Sequence, residues 1–370
     1  MKGIVLRRKV DVQCWRLIGC VSEAQQRTEL LALLQRASER GATNDSDVAA
    51  HLLFESQSRR TVAQRWLRIA EAYGLLEARK PDYVLTEAGQ RALASQQVLV
   101  PKQGTWTVWA ANDPLLPDAV LRVEPWQEPS AYAELVGKDK EVAANRSFQS
   151  VPGWIQDCCG SEVVPAASGG VPVRIEELEK QGERIEAEAS LAIAWNVDSG
   201  CVQLRGDVRG VPVDMSIPAP RLSAKQVWTH LLQARRILPL WDAERGALQV
   251  AFDQTNDRQR QSMQVDLKFE RPELPDLGSF ETMVVPAVPL CAANQADAER
   301  WARWRLERGV SDYATAERFA SWRTTAAAAF AGWTIRLPER QQVAAEAWAQ
   351  RGELPSPTAW HLMAAEDWRL

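Results

Sequence analysis

The pattern of apolar and polar positions changes period several times along the chain, and each change predicts a different element. Residues 3 to 20 alternate loosely, which predicts a strand or hairpin with Gln13 to Ile18 its best-defined part. From Glu23 to Arg40 the spacing becomes helical, with Leu30, Leu31 and Leu34 on one face and Gly41 placed to stop the helix. Asn44 is a good N-cap for a second helix that carries Val48, Leu52 and Leu53 inward. A third helix is expected from near Ser58 to Tyr73, with Val62, Trp66, Ile69 and Tyr73 as its buried stripe and Gly74 as its stop. Leu75-Leu76-Glu77 and Tyr83-Val84-Leu85 then predict two short paired strands around Ala78 to Asp82, and Thr86 caps a fourth helix, Glu87 to Ala94.

Beyond Gln97 the pattern favours strands. Thr105 to Ala110 and Ala119 to Val123 read as strands, whereas the polar tract from about Gly137 to Val171, with Ser168-Gly169-Gly170, predicts a linker or long loop. Ile185, Ala187, Ala189, Leu191, Ile193, Trp195 and Val197 occupy alternate positions, the signature of a half-buried strand. Asp198-Ser199-Gly200 turns the chain into Val202 and Leu204. Gly206 to Gly210 is expected to break that strand before a third, Val211 to Ile217. Ala224 to Leu238 is a predicted helix. Leu248, Val250 and Phe252 then face Met263, Val265, Leu267 and Phe269 as a second hairpin. The remainder is helical: Ala296 to Gly309 with Trp301 and Trp304, then a helix capped by Ser311 with the stripe Phe319, Trp322, Ala326, Phe330 and Trp333. Two more start at Pro338 and Pro357.

Three helices, two short strands and a helix in that order resemble the winged helix-turn-helix superfamily. Gly74-Leu75-Leu76-Glu77 looks like the helix-to-wing transition of bacterial winged-helix regulators, and Tyr83-Val84-Leu85-Thr86-Glu87-Ala88-Gly89 like their strand-to-helix segment. The resemblance covers about residues 23 to 96. It implies that the third helix lies in the major groove of double-stranded DNA. Its outward face, Arg60, Gln64 and Arg68 flanked by Thr61 and Arg65, would read guanine and adenine by bidentate hydrogen bonds. Arg59 near the helix start, with Arg79 and Lys80 at the wing tip, is placed for phosphates. Winged helices also serve as protein-binding modules, and side-chain type alone does not choose between the two. The expected fold class is an α+β multidomain chain. It would comprise a winged-helix domain with N-terminal strands over 1–97, an α+β domain with a mostly antiparallel sheet over 98–290, and a Trp-rich helical domain over 291–370.

Composition sharpens this picture. The 370 residues are enough for two or three domains, and 46% hydrophobic with 25% charged residues excludes a collagenous, mucin-like or wholly disordered chain. The formal net charge of -4 hides an asymmetry: residues 1–80 hold 14 Lys and Arg against 9 Asp and Glu, and the rest 30 against 39. A basic head and an acidic body suit contact with DNA at one end and protein subunits through the central and C-terminal domains. Lys2, Arg7, Arg8 and Lys9 could add a backbone contact, although a terminal basic run is ordinarily just solvated. Sixteen Trp against 7 Phe and 4 Tyr also suggest a partner, since Trp is enriched at interface hot spots. Trp301, Trp304, Trp360 and Trp368 are the partner-binding candidates. Stacking on single strands is not favoured, because residues 291–350 carry eight Arg and seven acidic residues and no basic groove is evident.

Candidate chemistry is sparse. No phosphate loop, dinucleotide fingerprint, nucleophile elbow or zincin motif occurs. Six scattered Cys and three His (His51, His230, His361) lack zinc spacing, so no metal and no cofactor are expected. The Cys read as reduced thiols of a cytoplasmic protein with no signal peptide and no membrane span. A nuclease alternative rests on Asp266-Leu267-Lys268 with Asp242 as a second carboxylate for a divalent metal; a solvated strand face explains the same residues. Cys158-Cys159 has no nearby His to activate a nucleophile. The expected function is therefore non-enzymatic: a DNA-binding or adaptor subunit of a multiprotein system for restriction, repair or defence against foreign DNA. The alternatives are a transcription regulator with a ligand-sensing domain and, behind it, the nuclease.

Overall fold

In the computed structural model the described residues are 3–54, 56–127, 148–349 and 357–367, and the fold is α+β. They form two units. One comprises Arg7–Trp195 with Gly200–Pro220, and the other the residues up to Leu6, Asn196–Ser199 and those from Arg221 onward.

The first unit is organised by one long ladder. Strand β2 (Gln13–Gln25) runs antiparallel to β5 (Val98–Ala110) from Gln13 opposite Ala110 to Gln25 opposite Val98. Beyond β5 lies β6 (Val120–Pro125). On the other side of β2, β10 (Gln181–Ile185) pairs with Cys14 to Arg16 and β9 (Val173–Leu178) with Gly19 to Glu23. Two short strands, β7 (Phe148–Ser150) and β8 (Glu162–Val163), pair with β10 and β9. Trp15, Leu17, Trp106, Val108 and Ile175 of this sheet pack with Val151, Ile155 and Val163. Residues 148–171, expected to be linker, thus contribute to the core through Val151, Ile155 and Val163, with Ile155 on the one-turn helix α5 (Gly153–Gln156), although Phe148, Val164 and Val171 stay exposed. The expected linker's first part, 137–147, lies outside the described residues.

Between the ends of the ladder sits a helical module: α1 (Thr28–Arg40), α2 (Asp45–Leu52), α3 (Gln57–Ala72), β3 (Leu76–Arg79), β4 (Asp82–Leu85) and α4 (Glu87–Ser95). Its core joins Leu30, Leu33, Leu34, Val48, Leu67 and Leu76 to Val98 and Val100 of β5. Glu23 to Gln25, expected to open the first helix, instead finish β2, where partners on β5 satisfy their backbone. The expected domain boundary at residue 97 therefore falls inside one sheet, with β2 before it and β5 after it.

A second sheet of this unit has the order β1 (Val5–Val10), β11 (Ala189–Asn196), β12 (Cys201–Val208), β13 (Val211–Pro218). The alternation read from Ile185 to Val197 spans two strands, β10 and β11, separated at 186–188 where Glu188 has φ 43°. Leu191, Ile193 and Trp195 do face inward. Gly206 does not end β12, which pairs with β13 through to Val208 opposite Val211. Its φ is 142°, and a Cβ there would stand 1.8 Å from the Ser190 carbonyl oxygen, so glycine lets β12 pass close to β11.

The other unit opens with α6 (Ala224–Ala234), held by a Ser223/Gln226 capping box. Its four-stranded sheet has the order β14 (Trp241–Asp242), β15 (Ala247–Val250), β19 (Met283–Ala292), β16 (Gln264–Phe269), and β17 (Glu273–Leu274) pairs with β18 (Gly278–Ser279) as a small hairpin. The expected second hairpin is absent: β15 pairs in parallel and β16 antiparallel with β19, and α7 (Asp257–Ser262) lies between β15 and β16 in the chain. Pro286 and Pro289 disguise β19, since proline suits bulges and edges. The register indeed shifts there, between Val265 opposite Val288 and Leu267 opposite Val285. The chain continues through α8 (Gln295–Gly309), α9 (Ala316–Ala328), α10 (Arg340–Ala349) and α11 (Pro357–Asp367), packed around Leu306, Phe319, Ala326, Val343 and Leu362. The α9 cap is Thr315 rather than Ser311, and the helix stops before Phe330 and Trp333. The boundary expected at residue 290 lies within this unit and within β19. Among the described residues no helix is long and apolar enough to cross a membrane.

Gly206→Ala is expected to lower stability by about 3 kcal/mol, from backbone strain and the clash with Ser190. Gly153→Ala, at a site open to solvent with nothing within 4 Å of a new Cβ, is the control. Urea denaturation of both variants checks the difference.

Candidate nucleic-acid interface

The module places α3 by satisfying the backbone around it. Asn44 caps α2 by accepting from the Asp47 N–H at 2.9 Å. One residue earlier Thr43 exchanges both backbone hydrogen bonds with Tyr83 of β4, at 2.9 and 2.8 Å, which ties the α1–α2 turn to the β3–β4 ribbon as a third strand. Thr86 accepts from the Gly89 N–H and donates to the Gly74 and Leu75 carbonyls, so α4 starts against the chain leaving α3. At Gly89 a Cβ would meet the Leu75 carbonyl oxygen at 2.3 Å. The strand-to-helix segment read from the sequence thus has a packing reason for its glycine.

Asp47 joins these pieces, a role its residue type alone does not announce. Its carboxylate accepts from Arg36 at 2.9 and 3.0 Å, from Thr43 at 3.0 Å and from Arg40. The Arg36 hydrogen bonds, together with those from Thr43 and Arg40, hold its carboxyl at about 2, against an ordinary 3.8. The signal in the sequence was the spacing Asn44-x-x-Asp47 behind Arg36 and Arg40.

On α3 the buried face is Ala63, Leu67 and Ala70; Trp66, Ile69 and Tyr73 are half-buried, and Val62 is 41% exposed. The core stripe is therefore rotated by one position from the expected Val62/Trp66/Ile69/Tyr73, because small alanines permit close approach to α2. The outward face survives this rotation: Arg60, Thr61, Gln64, Arg65 and Arg68 are all exposed. Thr61, Gln64, Arg65 and Arg68 follow the i, i+3, i+4, i+7 spacing of one helix face. The carboxamide N–H of Gln64 donates to Asp45 of α2 at 2.6 Å, which fixes its rotamer. Arg65 and Arg68 have no hydrogen bond or ion pair among the described residues. Arg59 differs. Its guanidinium donates to the Leu53 and Phe54 carbonyls at 2.6 and 2.5 Å, so it braces the α2–α3 turn. At the ribbon tip Arg79 pairs with Glu77 at 3.0 Å, and Lys80 is exposed.

Charge is more local than the N-terminal excess suggested. From Thr28 to Ser95 nine basic residues face nine acidic ones, yet α3 itself has four Arg and a single Glu. Much of the excess belongs to β1 and β2, where Arg8 pairs with Asp113 and Arg16 with Glu183.

The Trp candidates separate clearly. Trp301 is fully buried and its indole N–H donates to the Arg260 carbonyl at 3.0 Å, so it is a core side chain with no area to offer a partner. Trp304 is half-buried, Trp360 is 58% exposed, and Trp368 lies outside the described residues. Trp348, 43% exposed, was not among the candidates.

The nuclease constellation does not assemble. Asp242 and Asp266 sit on β14 and β16, strands separated by β15 and β19, whereas ligands of one divalent ion stand within about 2.6 Å of it. Asp266 accepts from the Ala287 N–H at 2.9 Å, satisfying the bulge in β19, and Lys268 pairs with Glu270 at 2.9 Å. Asp242 accepts from the backbone N–H groups of Glu244 and Arg245. Among the described residues no group of three or more His, Cys, Asp and Glu side chains could hold a metal ion. Burial pushes the Cys158 and Cys159 thiols up, away from the thiolate a nucleophile needs. No protein-family model, curated protein or solved structure matches the chain.

Because the folded carboxyl of Asp47 lies below its unfolded value, its stabilisation is fully present above about pH 4 and is lost as pH falls toward 2. The Arg40 side chain is 54% exposed, and solvent screening reduces a full-shift value of roughly 2.5 kcal/mol to about 1 kcal/mol. Asp47→Asn is expected to be less stable than wild type by that amount at pH 7, with the gap closing at low pH. Urea titrations of both proteins between pH 7 and pH 2 would show a gap independent of pH if the pairing contributes nothing.

Proposed function

We propose that the module Thr28–Ser95 is a winged helix that presents α3 to double-stranded DNA, and that the chain is a non-enzymatic DNA-binding or adaptor subunit of a multiprotein DNA-acting system. The observation that carries this reading is the outward face of α3, where Arg65 and Arg68 stand exposed and unpaired beside a Gln64 whose orientation is fixed by Asp45. Major-groove recognition needs such a face: guanidinium and carboxamide forks on one side of a helix, with the opposite side seated on a rigid support. The bridge of Thr43 to Tyr83 supports the winged arrangement, since it makes the ribbon continuous with the α1–α2 turn. Arg59 is better read as a brace for this helix than as a phosphate contact.

The acidic remainder of the chain and the exposed Trp348 and Trp360 favour protein partners on the other unit, as expected of an adaptor. Restriction, repair and defence against foreign DNA are the settings where such a subunit fits.

Affinity for a duplex should fall steeply with salt, and Arg65→Ala with Arg68→Ala should weaken binding by about 1–3 kcal/mol for each guanidinium that reads a base edge and flatten the slope of log K against log salt by about 1 for each that contacts a phosphate. Both side chains are exposed, so the variant should unfold like wild type. Fluorescence anisotropy with a labelled duplex at several salt concentrations measures the slope. Affinity and slope both unchanged in the variant, or wild-type binding insensitive to salt, removes the α3 assignment.

A further inference from the structure

A second basic surface lies in the unit formed from Arg221 onward, independent of α3. The short helix α7 and the C-terminal half of α8 flank an open groove of about 600 Å³ lined by Asp257, Arg258, Gln261, Trp304, Arg305 and Arg308. The sequence hid it, because Arg258 and Gln261 come from a polar stretch some forty residues before Trp304, outside the segment whose charges balance.

The groove's charges are arranged asymmetrically. Its one carboxylate, Asp257, is neutralised by Arg308 at 2.7 Å and Arg260 at 3.3 Å. Arg305 is oriented by donating to the Arg260 and Gln261 carbonyls at 3.2 and 3.0 Å, which fixes its positive charge at the wall. Arg258 is exposed, and neither its guanidinium nor the Gln261 carboxamide nor the Trp304 indole N–H has a partner among the described residues. Three uncommitted donor groups and a surplus of cations therefore line one groove beside a half-buried aromatic ring. The Arg260 and Arg308 guanidinium carbons stand 5.8 and 5.7 Å from the Trp304 ring centroid, inside cation–π range, and reinforce positive potential at the ring.

We propose that this groove binds a nucleobase together with its phosphate, as single-stranded nucleic acid or as a free nucleotide. A protein segment is the poorer fit, since hot-spot pockets for peptides are apolar at the centre and Trp304 is the one apolar side chain among these lining residues. Positive, polar and wet surfaces with an aromatic stacking platform are those of nucleic-acid sites. The volume lies within the range of small-molecule sites, which accommodates a nucleotide rather than a duplex. The proposal does not rest on the α3 reading.

The test is anisotropy of the full chain with labelled oligo(dT) at low salt, with unlabelled dTMP and poly-glutamate as competitors. Oligo(dT) should bind, and Arg258→Ala and Trp304→Ala should each weaken it, the latter about tenfold. Trp304→Phe, which keeps a ring in the half-buried position, should retain most of the affinity and so separates stacking from misfolding. The Arg65/Arg68 double variant should bind oligo(dT) as wild type does, which keeps failure of this site distinct from failure of α3. Competition by dTMP at micromolar concentration would identify a free nucleotide as the ligand; competition only at millimolar concentration would identify the strand. The proposal is overturned if neither oligo(dT) nor dTMP binds, if Arg258→Ala and Trp304→Ala bind as wild type, or if poly-glutamate displaces oligo(dT) as well as dT oligomers do.

Discussion

The β2–β5 ladder is the constraint on which the first unit depends. Its thirteen antiparallel pairs run from Gln13 opposite Ala110 to Gln25 opposite Val98, and the whole module α1 to α4 is a connection between two adjacent strands. Neighbouring strands lie about 4.8 Å apart, so the module must leave and re-enter the sheet at nearly one point. It does so with Val98 and Val100 of β5 built into its own core, which seats the helices on the ladder's end. A module held this way has a fixed root, and α3, packed on Ala63, Leu67 and Ala70, inherits that rigidity. Recognition faces work best on elements whose orientation is settled before a ligand arrives.

Local signals in the sequence were reliable where the physics is local. Asn44 and Thr86 cap the helices they were expected to cap, and the alternation around Leu191, Ile193 and Trp195 is a true strand, because capping and pleating depend on residues a few positions apart. What failed was pairing across long separations. Nothing near Glu23 announces that its partner is Val100, and nothing near Leu248 announces that Leu290, not the 263–269 strand, will lie beside it. The buried stripe of α3 lies one position from the one its large side chains predict, because Ala63 and Ala70 occupy buried positions beside Leu67. Small residues often mark the closest approach between helices, and a count of bulky residues overlooks them.

The same division holds for the site. Residue type found the exposed face of α3, but only geometry separated Arg59, spent on the Leu53 and Phe54 carbonyls, from Arg65 and Arg68. Net charge by segment was a weaker guide than pairing. Arg8 and Arg16 contribute to the N-terminal surplus, yet each is matched by a carboxylate, while α3 carries its charge inside a module that is neutral in total. Asp266 makes the complementary point: a carboxylate in a metal-like pattern answers an N–H that a bulge would otherwise leave unsatisfied, and that need accounts for it without any chemistry.

Tryptophan illustrates how far composition can carry a functional argument. Trp15, Trp106, Trp109, Trp195, Trp228 and Trp301 are buried, so they explain packing rather than partners. For Trp106, Trp109 and Trp301 the indole N–H is answered by a carbonyl, which removes the cost of burying it. Trp304 lies three residues from Trp301 on the same helix, yet it is only half-buried and has an uncommitted N–H. Residue type alone makes both of them partner candidates. A position three along turns about 60° around the helix, and here that turn carries the side chain from the core to the groove lined by Arg258 and Arg305. Within one helix tryptophan therefore serves two physical ends, filling the core at Trp301 and lining an open groove at Trp304.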